Sequence, residues 1–183
     1  MSFRKSFSKF FLVFVASFAG LSASLAQSAE LQTVSSVDVA RYLGRWYEIA
    51  RLPQATQPSC TAVTADYSLN EDGSIKVFNS CRIEDPVNGR LITIAGRAAP
   101  VDASNSKLEV EFFVGAPKGN YWVLELDADY RFALVGEPSR TSLFVLSRTP
   151  TLEPETLQKL LDLAVQKHGY DVSQLIYTVQ VPR

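Results

Sequence analysis

Between residues 44 and 148 apolar and polar side chains alternate with a period of two, as in strands that bury one face. In residues 44–51, Trp46, Glu48 and Ala50 fall on one face, with Tyr47, Ile49 and Arg51 on the other. Residues 61–69 and 74–80 continue the pattern on either side of Asn70-Glu71-Asp72-Gly73, a strong hairpin signal. Further strands are expected at 90–98 (Ile94, Gly96 and Ala98 together), 107–113 (Leu108, Val110 and Phe112 together), 120–127 (Tyr121, Val123 and Glu125 together), 131–136, and 142–148 (Phe144, Leu146 and Arg148 opposite Leu143 and Val145). Short links with turn residues, such as Asp85-Pro86, Asn88-Gly89 and Glu137-Pro138, separate them. Eight strands on hairpin-length links predict an all-β fold, an eight-stranded up-and-down antiparallel barrel, whose closure leaves no free edge.

The period then changes. Leu157, Leu160, Leu161, Ala164, Val165 and His168 share a helical stripe, with Pro154 in the first turn and Gly169 as a stop. One C-terminal α-helix is therefore expected, packed on the outside of the barrel, with a last short strand at 174–179. Residues 37–43 form an expected helical turn that plugs one end, with Asp38 near its start.

Arg4, Lys5 and Lys9 precede an apolar span at 10–21, and Ser24-Leu25-Ala26 offers small residues for cleavage. Residues 1–26 thus read as a cleaved signal peptide, and 27–183 as one domain. The span is too short for a permanent membrane anchor. Without it the chain has 15 basic and 19 acidic residues, a formal charge of −4, which argues against a nucleic-acid or anionic-membrane partner.

Three motifs in order carry a family resemblance: Tyr42-Leu43-Gly44-Arg45-Trp46-Tyr47-Glu48-Ile49-Ala50-Arg51, then Asp127-Ala128-Asp129-Tyr130, then Leu146-Ser147-Arg148-Thr149-Pro150. With them the chain resembles a lipocalin over residues 36–181, and is most similar to the bacterial outer-membrane and apolipoprotein D-like members. The resemblance implies that Gly44, Trp46 and Arg148 build the closed end, with the arginine over the tryptophan, and that the loop at 53–58 crosses the open mouth. Many bacterial relatives carry an acylated cysteine after the signal. Gln27 stands there instead, so a periplasmic or secreted protein is expected.

On the residues alone, the inward positions either pack a solid core or line a cavity, since eight strands allow both. The resemblance favours a cavity that binds fatty acids or lysophospholipids in cell-envelope lipid handling. Its wall is then expected to include Ala50, Val63, Ala65, Tyr67, Val77, Asn79, Val110, Phe112, Tyr121, Val123 and Phe144, with room left by Gly96 and polar contacts from Glu48 and Glu125.

Cys60 and Cys81 flank the 61–80 hairpin, and an oxidising compartment favours a disulfide between them. Register is the difficulty, because direct pairing of Val63, Ala65 and Tyr67 with Asn79, Val77 and Ile75 leaves the cysteines one residue out of step. Two alternatives to a carrier remain: a lipid isomerase, which needs a free cavity cysteine, and a protein-docking module. His168 is the single histidine, so no metal site, no cofactor and no histidine-based nucleophile are expected. A homodimer stays open, because Tyr47, Ile49, Leu143 and Val145 can lie under the helix or under a second copy.

Overall fold

The computed structural model describes residues 30–181; the expected signal peptide lies outside them. A short helix, α1 (Val39–Tyr42), leads into β1 (Gly44–Arg51). Then follow β2 (Cys60–Leu69), β3 (Ile75–Ile83), β4 (Leu91–Pro100), β5 (Lys107–Glu111), β6 (Gly119–Leu126), β7 (Phe132–Gly136) and β8 (Leu143–Ser147). Each strand pairs antiparallel with the next, and β1 pairs with both β8 and β2, so the sheet closes on itself. This is the expected eight-stranded up-and-down barrel. Helix α2 (Pro154–Gln166) follows, and β9 (Ile176–Tyr177) adds a short pairing to β1.

Helix α2 lies on the outer wall. Leu160, Leu161 and Ala164 bury against Tyr47, Ile49, Leu143 and Val145, so the helix, not a second copy, covers that face. Burial of each leucine contributes roughly 1.5–3 kcal/mol. Val165, expected in the same stripe, is 46% exposed.

Three irregularities break the alternation and correct the expected faces. Between Glu48 and Ala50 the register of β1 on β8 shifts, pairing Glu48 with Leu146, Ala50 with Val145 and Arg51 with Phe144. One extra residue reverses every later side chain. Ala50 therefore packs outward under α2, and Arg51 turns inward. A second shift, between Val123 and Glu125, pairs Glu125 with Leu134 on the helix side. Glu125 is thus not a cavity residue; its carboxylate accepts hydrogen bonds from Lys167 Nζ (2.5 Å) and His168 Nε2 (2.8 Å). The third shift lies between Thr61 and Thr64 of β2, with Ala62 at φ +46°.

That third bulge resolves the register of the cysteines. Beyond it Cys60 pairs with Ile83, so its side chain returns to the inner face two positions from Cys81. The two are joined as a disulfide, with Cα atoms 5.5 Å apart. The bridge closes a 21-residue separation, for which the loop-entropy account gives about 3 kcal/mol. The Cys60→Ser/Cys81→Ser protein is expected to lose about that much in urea denaturation. A titration that finds two free thiols in the denatured, unreduced wild-type chain would contradict this.

The C-terminal tail satisfies the main-chain groups that the bulges leave unpaired. Ala62 N–H donates to Val179 O (2.7 Å) and Thr178 N–H to Ile49 O (3.0 Å). Gln180 Nε2 bridges Glu48 O and Val63 O, each at 2.8 Å. Buried backbone groups without such partners would be destabilising.

The Glu125 cluster makes stability pH-dependent. Burial pushes His168 below its ordinary value, against the pull of Glu125. Its Nδ1 has no partner, which fits a neutral ring donating from Nε2. Burial pushes the Glu125 carboxyl up, but the bonds from Lys167 and His168 outweigh it and hold the group below its usual range. The folded imidazole thus resists a proton that the unfolded chain accepts below about pH 6.5. Its contribution is complete above that pH and is lost on acidification. The melting temperature is expected to fall between about pH 7 and about pH 5, and the slope to shrink in His168→Gln. Matching slopes in the two proteins would sink this assignment.

Candidate functional site: a cavity inside the barrel

The closed end is built by the three expected residues. Gly44 sits at φ +89°, a conformation that side chains disfavour, and so turns the chain sharply from α1 into β1. Trp46 is fully buried, and its Nε1–H donates to Tyr42 O (2.9 Å). The Arg148 guanidinium carbon stands 3.9 Å from the indole centroid. Its donors reach Arg41 O (2.7 Å), Arg45 O (2.9 Å) and Tyr130 O (3.2 Å). Arg148 thus staples together all three motif segments. The Asp127–Tyr130 turn is held by Tyr130 N–H on Asp127 O (2.8 Å) and by Arg131 Nε on the Asp127 carboxylate (2.7 Å).

Above this floor the barrel is hollow. A cavity of about 710 Å³ runs up to the mouth, where Gln54, Thr56, Gln57 and Pro58 of the β1–β2 loop line it. Val63, Ala65, Tyr67, Val77, Asn79, Val110, Phe112, Tyr121, Val123 and Phe144 all line the wall, as does Ile94. Ala50 does not, for the reason given above. Gly96 leaves no room either: the Phe112 ring lies 2.8 Å from where a Cβ would stand.

Two features of the wall escape the sequence pattern. The first is a buried ion pair. Glu48 and Arg51 are each under 5% exposed at their side chains, with Arg51 Nη1 2.9 Å from Glu48 Oε1. Thr178 Oγ1 donates to the same oxygen (2.5 Å), and Gln57 Nε2 reaches Oε2 at 3.3 Å. Arg51 also donates to Gln57 O (3.0 Å), which ties the mouth loop to the wall. In an ideal strand residues three apart point to opposite faces; only the bulge brings this pair together, and no residue type in β1 marks a bulge.

The second is a tyrosine cluster at the deep end. Tyr42, Tyr67 and Tyr121 all border the cavity. Tyr67 OH donates to Tyr121 OH (3.2 Å), and Tyr121 OH lies 2.8 Å from Tyr42 OH. Burial pushes all three phenols up, Tyr67 to about 12, so they stay neutral. Tyr67 and Tyr121 follow from strand alternation, whereas Tyr42 joins them because α1 folds under the barrel.

A hollow antiparallel barrel with a stapled floor and a looped mouth defines a container for small apolar molecules. The chain belongs to the lipocalin family: a lipocalin-like domain matches residues 37–180. It is 42% identical over 165 residues to temperature-induced lipocalin-1 of Arabidopsis thaliana, covering 85% of this chain and 86% of the relative. It is 41% identical over 148 residues to outer membrane lipoprotein Blc of Escherichia coli, covering 80% and 81%. Apolipoprotein D of Mus musculus is 33% identical over 186 residues, covering 92% and 94%. Among solved structures, insecticyanin from the tobacco hornworm Manduca sexta superposes with a TM-score of 0.65 at 20% identity, covering 83% and 85%.

Proposed function

We propose that this protein binds and carries small hydrophobic or amphipathic molecules, fatty acids or lysophospholipids, in its barrel, as part of lipid handling in the cell envelope. The observation that carries the reading is the cavity itself, about 710 Å³ of largely apolar space with a few convergent polar groups. That size and character suit a single-ligand site. Family membership supports it, because lipocalins bind small hydrophobic ligands. Two relatives named as an outer membrane lipoprotein and an apolipoprotein support a lipid cargo.

The periplasm or the extracellular space suits the basic-then-apolar leader and the glutamine, not cysteine, that follows it. No helix among the described residues is long and apolar enough to cross a membrane. The isomerase alternative needs a cavity thiolate, and both cysteines are engaged in the disulfide.

Native mass spectrometry of protein purified without detergent is expected to show a co-purifying lipid, and it also counts the copies per particle. A fluorescent fatty acid is expected to bind at micromolar concentration and to be displaced by unlabelled lipid. Absence of any displaceable binding would overturn the carrier reading.

A further inference from the structure

The deep end of the cavity offers more hydrogen-bonding capacity than it uses. Three tyrosine hydroxyls carry three protons. The two contacts within the cluster, Tyr67 to Tyr121 and Tyr121 with Tyr42, engage two of them. Whichever of Tyr42 and Tyr121 donates to the other, one proton is left over at the cavity floor.

The same cavity wall carries an acceptor in the same condition. Asn79 Oδ1 is buried without a partner. Tyr67 pairs with Val77 and Ala65 with Asn79 on the inner face, so Asn79 stands one repeat above Tyr67, about 7 Å along the wall. Unpartnered buried polar atoms are destabilising, so a donor–acceptor set left open on a cavity wall invites a ligand group that completes it.

The rest of the wall is closed to a charged headgroup. Among the described residues no lysine or arginine lines the cavity, and the one charged lining residue is Glu48. Both carboxylate oxygens of Glu48 are already taken, by Arg51, Thr178 and Gln57. A phosphate would lose its hydration here with no cation to replace it.

We propose that the floor is a polar-end subsite. A single-chain lipid ending in one compact oxygen group, a hydroxyl or a protonated carboxyl, enters that end first; the group accepts the free phenolic proton and donates to Asn79 Oδ1. This rests on the carrier reading and refines it: fatty acids and fatty alcohols are preferred over lysophospholipids, whose headgroup stays outside.

Orientation can be read from Trp46, which lies against the floor with its ring centroid 4.9 Å from that of Tyr42. In a Trp122→Phe protein Trp46 is the single indole. 6-Bromohexadecanoic acid is expected to quench its fluorescence strongly and 16-bromohexadecanoic acid weakly. In parallel, Asn79→Leu is expected to weaken hexadecanol binding about five- to tenfold, the loss of one buried hydrogen bond, and to leave the binding of its methyl ether nearly unchanged. If both bromo acids displace a fluorescent fatty acid but the 16-bromo isomer is the stronger quencher, the subsite is wrong and the carrier reading stands. Stronger binding of a lysophospholipid than of hexadecanoic acid also overturns the subsite. If neither bromo acid displaces the probe, the carrier reading itself fails.

Discussion

Trp46→Ala is expected to lower stability by about 3–5 kcal/mol, the range for removing a large buried aromatic. For a chain of this size that corresponds to a fall in melting temperature of roughly 6–20 °C. The indole is fully buried, donates to Tyr42 O and supports the Arg148 guanidinium, so no neighbouring group can fill the space. Arg148→Ala is expected to give a smaller fall of the same kind. It removes a cation–π contact worth about 0.5–2 kcal/mol and three hydrogen bonds worth about 1 kcal/mol each before water replaces them. Arg148 lies outside the cavity wall. Its loss is therefore expected to change the affinity for a fluorescent fatty acid much less than it changes the melting temperature. Thermal melts that superpose on the wild type would contradict both assignments.

Arg51→Met is expected to be comparably damaging for a different reason. It leaves the Glu48 carboxylate buried with only Thr178 and Gln57. Breaking one side of a buried pair typically costs about 3–5 kcal/mol, whereas replacing both sides by apolar groups is often neutral. The Glu48→Met/Arg51→Met protein is thus expected to recover most of the loss. Urea denaturation of the two variants decides it: a double variant as unstable as Arg51→Met would show that the charges are not what matters. Arg51 Nε already lacks a partner, so the pair is imperfectly satisfied even in the native fold.

The strands were legible because one face of each is buried and the other is not, and a period of two records that directly. The helix was legible from its apolar stripe, and the floor from the family resemblance carried by the motifs around Trp46 and Arg148. What could not be read were the bulges. Ala50, Glu125 and Cys60 all changed face through single-residue shifts, and none of the three shifts has a glycine at it. Ala62 adopts its positive φ as an ordinary residue, held there by the bond to Val179 O. A bulge is fixed by what arrives from elsewhere in the chain, so local pattern cannot show it. The same holds for Gly96, whose missing side chain suggested space until the Phe112 ring occupied it.

The clasp of residues 178–180 on the first two strands has a temporal meaning. Glu48 and Val63 receive their final partners from residues 130, 132 and 117 positions further on. The seam of the vessel is therefore sealed by a segment made long after the strands it joins. A nascent chain can assemble its middle hairpins early, yet the first strand keeps a half-satisfied acid until residues 178–180 arrive, and loss of those residues would reopen the wall at its first two strands.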